Sequence, residues 1–427
     1  MARDIVSHFI ELDLYDIKLV SMGWGMTPLN ALDGENLKHV EILNRILQGP
    51  LDRQPDLFVQ ISVPNEFQPI GKFNIGITAG IETTACSLQW IEGCNRMNEV
   101  WTISEHSKRV FEQTVAEFRD QAGNVVKTER VRVPIRVLHN AVHTDVFGVQ
   151  HKLERSIDDV MLKIKEKFVY LFVGHWLKGD LGHDRKNVGL LIRLFCETFK
   201  NTVKSKQPAL LLKTSGAGFS VIDREHILKR IKEIRDQVGP NAPNVYLLHG
   251  ELTESEMNSL YNHPKVKVHI SLTHGEGFGR PLLEASLSEK PIIASGWSGH
   301  LDFLNTNDAL LVGGKLENVH PSAAWDNVIL KESMWFMPDP SQAINMMAYA
   351  FENYDTLLPG AKKLARENRQ KFSYEAIFQK TKELVEQVVP KFAVQVPIKL
   401  PNLKKIELPK LKKVNVEENE AVLRDSN

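Results

Sequence analysis

Glu276 and Glu284 stand with seven residues between them, in a stretch that also carries glycine at 275, 277 and 279 and proline at 281. Each residue type contributes something different. Glycines let a backbone approach a ligand closely. Arg280-Pro281 suits the start of a helix, because proline lacks only an N–H that would be unpaired in the first turn anyway. A helix start presents free N–H groups and the positive end of a dipole, an arrangement that suits a diphosphate. The dipole is worth only about 0.3–1 kcal/mol when exposed, so basic side chains are expected beside it. The two carboxylates differ in depth, Glu276 beside the anion site and Glu284 along the helix face. Carboxylates accept hydrogen bonds from vicinal hydroxyls, which makes a hexose and a ribose natural partners. A bare glutamate pair at this spacing reads as two solvated charges. The glycines, the proline and the apolar run at 266–272 before them turn it into a binding feature.

Such a loop needs a strand before it and a helix after it, and the chain supplies that unit repeatedly. Apolar, β-branched runs at 17–21, 57–63, 73–78, 99–103 and 132–138 alternate with helical patterns, for example at 36–47 and 104–118. A second series opens at 169–173 and continues through 209–212, 244–248, 266–272 and 291–294, with the helical segment 153–167 as the join. Two successive series predict an α/β chain of two Rossmann-like domains with parallel sheets facing a central cleft. In such sheets ligands sit at the carboxyl ends of the strands. We expect a first domain over 1–150, a second over 151–372, a crossing helix over 373–390 and a tail over 391–427. In the tail Leu400-Pro-Asn-Leu-Lys-Lys-Ile406 is echoed by Leu408-Pro-Lys-Leu-Lys-Lys-Val414. Its prolines forbid a continuous helix, so a solvated, flexible tail is expected. The sharper alternative is a basic segment that docks a partner or an anionic surface.

Lys+Arg and Asp+Glu both total 53, so no global charge holds the protein on DNA or an anionic membrane. Cys86, Cys94 and Cys196 form no paired motif. Together with an N-terminus that lacks the apolar stretch of a signal peptide, they point to a reducing, cytoplasmic location. No metal is expected: there is no Asp-x-Asp, no HExxH and no Cys/His cluster. GxxxxGK[ST] and GxSxG are absent too, which argues against a P-loop nucleotidase and an α/β-hydrolase.

Gly275-Glu-Gly-Phe-Gly-Arg-Pro-Leu-Leu-Glu-Ala285, followed by Pro291-Ile-Ile-Ala-Ser295 and Gly299-His-Leu-Asp302, resembles the donor-site signature of family-4 retaining glycosyltransferases of the GT-B fold. His139-Asn-Ala-Val-His-Thr-Asp-Val-Phe147, Leu171-Phe-Val-Gly174 and Arg185-Lys-Asn-Val-Gly-Leu-Leu191 resemble further landmarks in the family's order. Asn74-Ile-Gly-Ile-Thr78, Glu82 and Trp90 resemble its acceptor side. The resemblance covers most of 56–384, and only the glutamate block is highly specific.

It implies a nucleotide-diphosphate sugar donor, no cofactor and retention at the anomeric carbon. Glu276 would touch the donor sugar and Glu284 the ribose. The backbone from Gly275 through Gly277 and Phe278 to Gly279, with Arg280 after it, would face the diphosphate. Lys186 matches the family's phosphate-binding lysine, and Lys213 is a second candidate cation. His175 stands where the family has arginine and is a donor-binding candidate itself, with Arg185 or Lys178 able to substitute in that phosphate contact. No catalytic base is evident. The resemblance implies a front-face mechanism in which the departing phosphate takes the acceptor proton, with Glu82 orienting the acceptor.

The family begins with a strand and a glycine-rich loop, whereas this chain starts inside the helix that follows, at 2–6. Three explanations are open: the sheet has lost its first strand, Gly23-Trp-Gly25 supplies a replacement loop, or the start codon lies further upstream. The acceptor stays open among a saccharide, a lipid-linked glycan, a protein and a modified nucleic-acid base. The rival readings are another GT-B enzyme, such as a sugar-nucleotide epimerase or a phosphorylase, and a non-catalytic sugar-nucleotide-binding or scaffold protein.

Overall fold

Alternation of side chains along the strands decides the architecture. In the run Val169-Tyr-Leu-Phe172, Val169 and Leu171 belong to one hydrophobic cluster while Tyr170 and Phe172 belong to another. Both faces of that strand are therefore covered, as a parallel sheet with helices on each side requires. The computed structural model describes residues 1–23, 32–216 and 218–392.

In chain order, α1 (Ala2–Glu11) and α2 (Leu37–Leu43) precede β1 (Leu57–Ile61) and β2 (Phe73–Thr78). Next come α3 (Leu88–Cys94), β3 (Glu99–Thr102), α4 (Glu105–Gln113), the hairpin β4 (Ala116–Arg119) and β5 (Val125–Glu129), and β6 (Ile135–Val137). The parallel order β1-β2-β3-β6 makes the first sheet. After α5 (Arg155–Leu162) the second series runs β7 (Val169–Val173), α6 (Val188–Phe199), β8 (Ala209–Lys213), α7 (Val221–Val238), β9 (Val245–Leu248), α8 (Glu254–Asn262), β10 (Val266–Ser271), α9 (Arg280–Ser286), β11 (Ile292–Ser295) and β12 (Leu310–Val312). Its parallel order is β12-β11-β10-β7-β8-β9, with β10 central. An antiparallel pair, β13 (Gly314–Asn318) with β14 (Met334–Pro338), follows, then α10 (Pro340–Glu352), α11 (Tyr354–Phe372) and α12 (Tyr374–Val388).

Helix α12 returns to α1, where Thr381 Oγ1 lies 3.0 Å from His8 Nδ1 and the Tyr374 hydroxyl donates to Glu11 at 2.8 Å. Residues 1–390 form one compact unit. A single hydrophobic cluster joins Ile75, Ile77 and Trp101 of the first sheet to Leu171, Phe278 and Leu283 of the second series and to Ile377 of α12. Among the described residues no helix is long and apolar enough to cross a membrane.

Several expectations need correction. Residues 17–21 are not a strand: Leu19 makes one isolated bridge to Ile46, because its partner segment leaves α2 directly and is too short for a ladder. The helix expected over 104–118 ends at Gln113. Exposure alternates from Ala116 to Arg119, and Asp120 Oδ1 accepts the N–H groups of Ala122 and Asn124 at 2.9 Å, which turns the chain into a hairpin. Asn36 caps α2, which ends at Leu43 rather than 47. Strand β12 and the β13–β14 pair were not anticipated. Trp24 and Gly25, and the tail from 393 onward, lie outside the described residues.

Candidate active site

The loop after central strand β10 is tied at its main chain. The Glu276 N–H donates to Ser298 Oγ at 2.9 Å, and the Glu276 carbonyl accepts the Gly299 N–H at 2.9 Å. Gly279 caps α9 at φ 91°, in the left-handed region, where an added Cβ would stand 3.0 Å from His300 Cβ. Glu276 therefore projects from a fixed backbone, and its Oε2 lies 2.6 Å from Lys186 Nζ.

Lys186 comes from the segment before α6. Asp184 there accepts the N–H groups of Val188 at 2.9 Å and Gly189 at 3.3 Å, capping that helix. Lys186 Nζ is also 3.5 Å from Glu82 Oε1, and Arg185 Nη1 donates to the same oxygen. Two cations and two carboxylates thus join the second sheet to the loop after β2. Burial works against the Glu82 charge, but Arg185 and Lys186 overcome it and hold its carboxyl below the usual range. Burial likewise opposes the Arg185 charge, and Glu82 outweighs it. Arg185 Nε and both polar side-chain atoms of Asn187 are buried beside this cluster without a protein partner.

Glu284 is bound on both oxygens. Arg280 Nε donates to Oε1 at 2.7 Å, one helical turn away, and the Tyr261 hydroxyl donates to Oε2 at 3.3 Å. Burial pushes its carboxyl upward, with Arg280 acting in the opposite sense. His274 is a buried bolt: Nδ1 lies 2.8 Å from the Phe336 carbonyl, Nε2 lies 3.1 Å from the Gly182 carbonyl, and the ring stacks on Trp335 at 4.1 Å. It fixes the glycine loop to β14 and to the segment that carries Arg185 and Lys186.

The other expected residues have partners of their own. Lys213 Nζ donates to the Gly250 carbonyl at 2.6 Å and lies over Phe219, and burial lowers its pKa. His175 Nδ1 sits 3.2 Å from Ser215 Oγ, and burial lowers its pKa first, with Arg185 and Lys186 adding to the effect. Phe278 points into the core, with ring centroids 5.2 Å from Phe303 and 5.8 Å from His139. Gly275 and Gly277 face protein: Cβ atoms there would stand 2.1 Å from the Glu82 carbonyl oxygen and 2.7 Å from that of Ala79. Among the described residues no group of three or more His, Cys, Asp or Glu is arranged to hold a metal ion.

More contacts close the cleft. Asp302 Oδ2 accepts the Glu105 N–H at 2.9 Å and lies 3.0 Å from His139 Nε2. Thr84 and Met334 are tied twice, the Thr84 N–H to the Met334 carbonyl and the Met334 N–H to Thr84 Oγ1, both at 2.9 Å. Sequence reasoning missed Tyr261, Ser298 and this clasp, and it names Asp302 only as part of Gly299-His-Leu-Asp302, without this role. Ser298 carried one faint signal, its Gly-Trp-Ser-Gly setting, and it adopts φ 83°. Tyr261 and Thr84 carried none, because their partners are distant in the chain.

No protein-family model matches the chain, and no curated protein matches it in sequence. Solved structures are similar in fold. A glycosyltransferase from Rickettsia africae ESF-5 superposes with a TM-score of 0.57 at 12% identity, covering 91% of this chain and 95% of that one. Sucrose-phosphate synthase from Thermosynechococcus elongatus gives 0.53 at 14% identity, with coverages of 78% and 73%. The N-terminal domain of trehalose-6-phosphate phosphatase from Candida albicans gives 0.52 at 13%, with coverages of 82% and 73%. At these identities the likeness shows the fold, the two-sheet GT-B arrangement.

Proposed function

We propose that the protein moves a sugar from a nucleotide-diphosphate donor to an acceptor in the cleft between its two sheets, with retention at the anomeric carbon and without a metal. The observation that carries this reading is Glu276, on a tethered glycine loop at the carboxyl end of a central parallel strand, paired with Lys186 from the segment before α6. That is where ligands bind in sheets of this kind. Two of the similar structures are a glycosyltransferase and a sucrose-phosphate synthase. The third is the N-terminal domain of a protein named as a phosphatase, and a fold alone does not decide the chemistry.

In this reading Glu276 accepts hydrogen bonds from the donor sugar, and Lys186 with Arg185 answers the charge that grows on the departing diphosphate. Glu284, held by Arg280 and Tyr261, still has lone pairs for the ribose hydroxyls. The leaving phosphate takes the acceptor proton, and Glu82 stands on the acceptor side of the cleft.

The test is incubation with UDP-, GDP- and ADP-sugars, following nucleoside-diphosphate release by mass spectrometry beside Glu276→Ala. We expect release from one donor, reduced roughly 100-fold or more in the variant, as for loss of a positioned charged group at the reacting sugar. Equal turnover in Glu276→Ala would sink the assignment. Donor binding with no turnover, with or without acceptors, would favour a non-catalytic sugar-nucleotide-binding protein.

A further inference from the structure

Arg185 and Lys186 bring two positive charges to the cleft, and both are already answered by carboxylates. Glu82 Oε1 takes Arg185 Nη1 and lies 3.5 Å from Lys186 Nζ, while Glu276 Oε2 lies 2.6 Å from the same Nζ. The four side chains are between 9% and 23% exposed, so solvent screens them poorly. The formal charge of the cluster is zero. The loop that carries Glu82 also presses on the glycine loop, since its carbonyl oxygens at 79 and 82 occupy the space that Cβ atoms at Gly277 and Gly275 would need. One loop of the first half therefore covers both the cations and the backbone that a diphosphate would use.

We infer that Glu82 is an internal stand-in for the donor's phosphate: a diphosphate reaches Arg185 and Lys186 by displacing it, so donor entry and withdrawal of loop 79–84 are one event. This rests on the reading of the site as one for nucleoside diphosphates. A diphosphate adds at least two negative charges. With both carboxylates retained, a shielded site would hold that surplus uncompensated, which is strongly unfavourable. Glu276 is anchored at its own main chain, with both its N–H and its carbonyl tied within the second half, to Ser298 and Gly299. On the opposite wall the ties fall on the neighbours of Glu82, the Ile81 N–H to Ser107 Oγ and the Thr84–Met334 pair, so Glu82 is the carboxylate that withdraws without breaking a main-chain bond of its own. Its return after transfer would compete with the product diphosphate and speed release.

The test begins with calorimetric titration of inorganic pyrophosphate into wild type and Glu82→Gln, which keeps the side chain's size and removes its charge. The surplus cation should draw the anion in, tightening binding roughly tenfold or more, and adding Lys186→Met should abolish the gain. Equal or weaker binding in Glu82→Gln overturns the stand-in, as does failure of either protein to bind pyrophosphate. Wild type alone provides a second measurement, independent of how the variant folds. Pyrophosphate should speed hydrogen exchange at the Thr84 amide, and unchanged or slower exchange there contradicts the inference. The nucleotide-sugar panel separates the two claims. A gain for pyrophosphate with no nucleotide sugar bound leaves the stand-in and removes the nucleotide-sugar reading. Nucleotide sugars that bind both forms alike leave the function and remove the stand-in.

Discussion

At Gly275 the nearest obstacle to a methyl group is a main-chain oxygen, that of Glu82, 2.1 Å from where Cβ would stand. A flexible side chain would move aside, but a carbonyl moves only with its loop. Gly275→Ala should therefore drive loop 79–84 off the glycine loop, costing about 1–3 kcal/mol by overpacking. The check is the denaturant midpoint together with donor turnover, and we expect both to fall. A variant with wild-type midpoint and turnover would show that the two loops are not in contact in solution. The sequence marks this glycine as a place where a ligand comes close. What stands there is protein from the other half of the chain, which no local pattern reveals. The same blind spot affects Phe278, which sits in a ligand-like motif yet fills the core beside Phe303.

Helix α9 shows how an element carries its own electrostatics. Arg280 and Glu284 are one turn apart and pair at 2.7 Å, with Glu284 shielded under Tyr261. Removing the arginine alone strands a buried carboxylate, whereas removing both charges leaves apolar packing. Arg280→Met should destabilise by roughly 3–5 kcal/mol, and Arg280→Met with Glu284→Leu should recover most of that loss. A double-mutant cycle read by denaturant unfolding checks it, and equal losses in the single and double variants would contradict the argument. The parallel strands were legible because each is short, apolar and followed by a turn and a helix. Strands β13 and β14 were not, since Lys315 and Glu317 break the apolar pattern and their pairing closes over a long loop. That loop builds a small core of its own, in which its Val319, Ala323 and Ile329 are buried with Trp335 of β14. Its Val328 also packs against the first half, so the insertion clasps both.

At the scale of the molecule, the joints are made by neutral histidines. His8 fastens α1 to α12 beside Thr381, and His106 of α4 packs edge-on against Trp297 at 4.6 Å. Burial pushes both of them down to about 4. In the unfolded chain they take up a proton near pH 6.5, while in the folded chain they resist until about 4. Between those values the unfolded state binds more protons, so stability present above pH 6.5 is lost as the pH falls. The slope is about 1.4 kcal/mol per pH unit for each histidine that stays neutral. His143 works in the other direction. Its hydrogen bond to Asp4 raises its pKa, so its contribution is complete below 6.5 and fades as the pH rises through the raised value. The two buried groups outnumber it, which makes acid the destabilising direction. Urea midpoints measured at pH 7.5, 6.0 and 5.0 should fall with acidity, and more shallowly in His106→Phe, which cannot take up the proton. Because the two joints lie in different parts of one compact unit, the transition should stay single while it shifts. A midpoint that does not move between pH 7.5 and 5.0 would mean that these histidines are not held neutral in the folded protein.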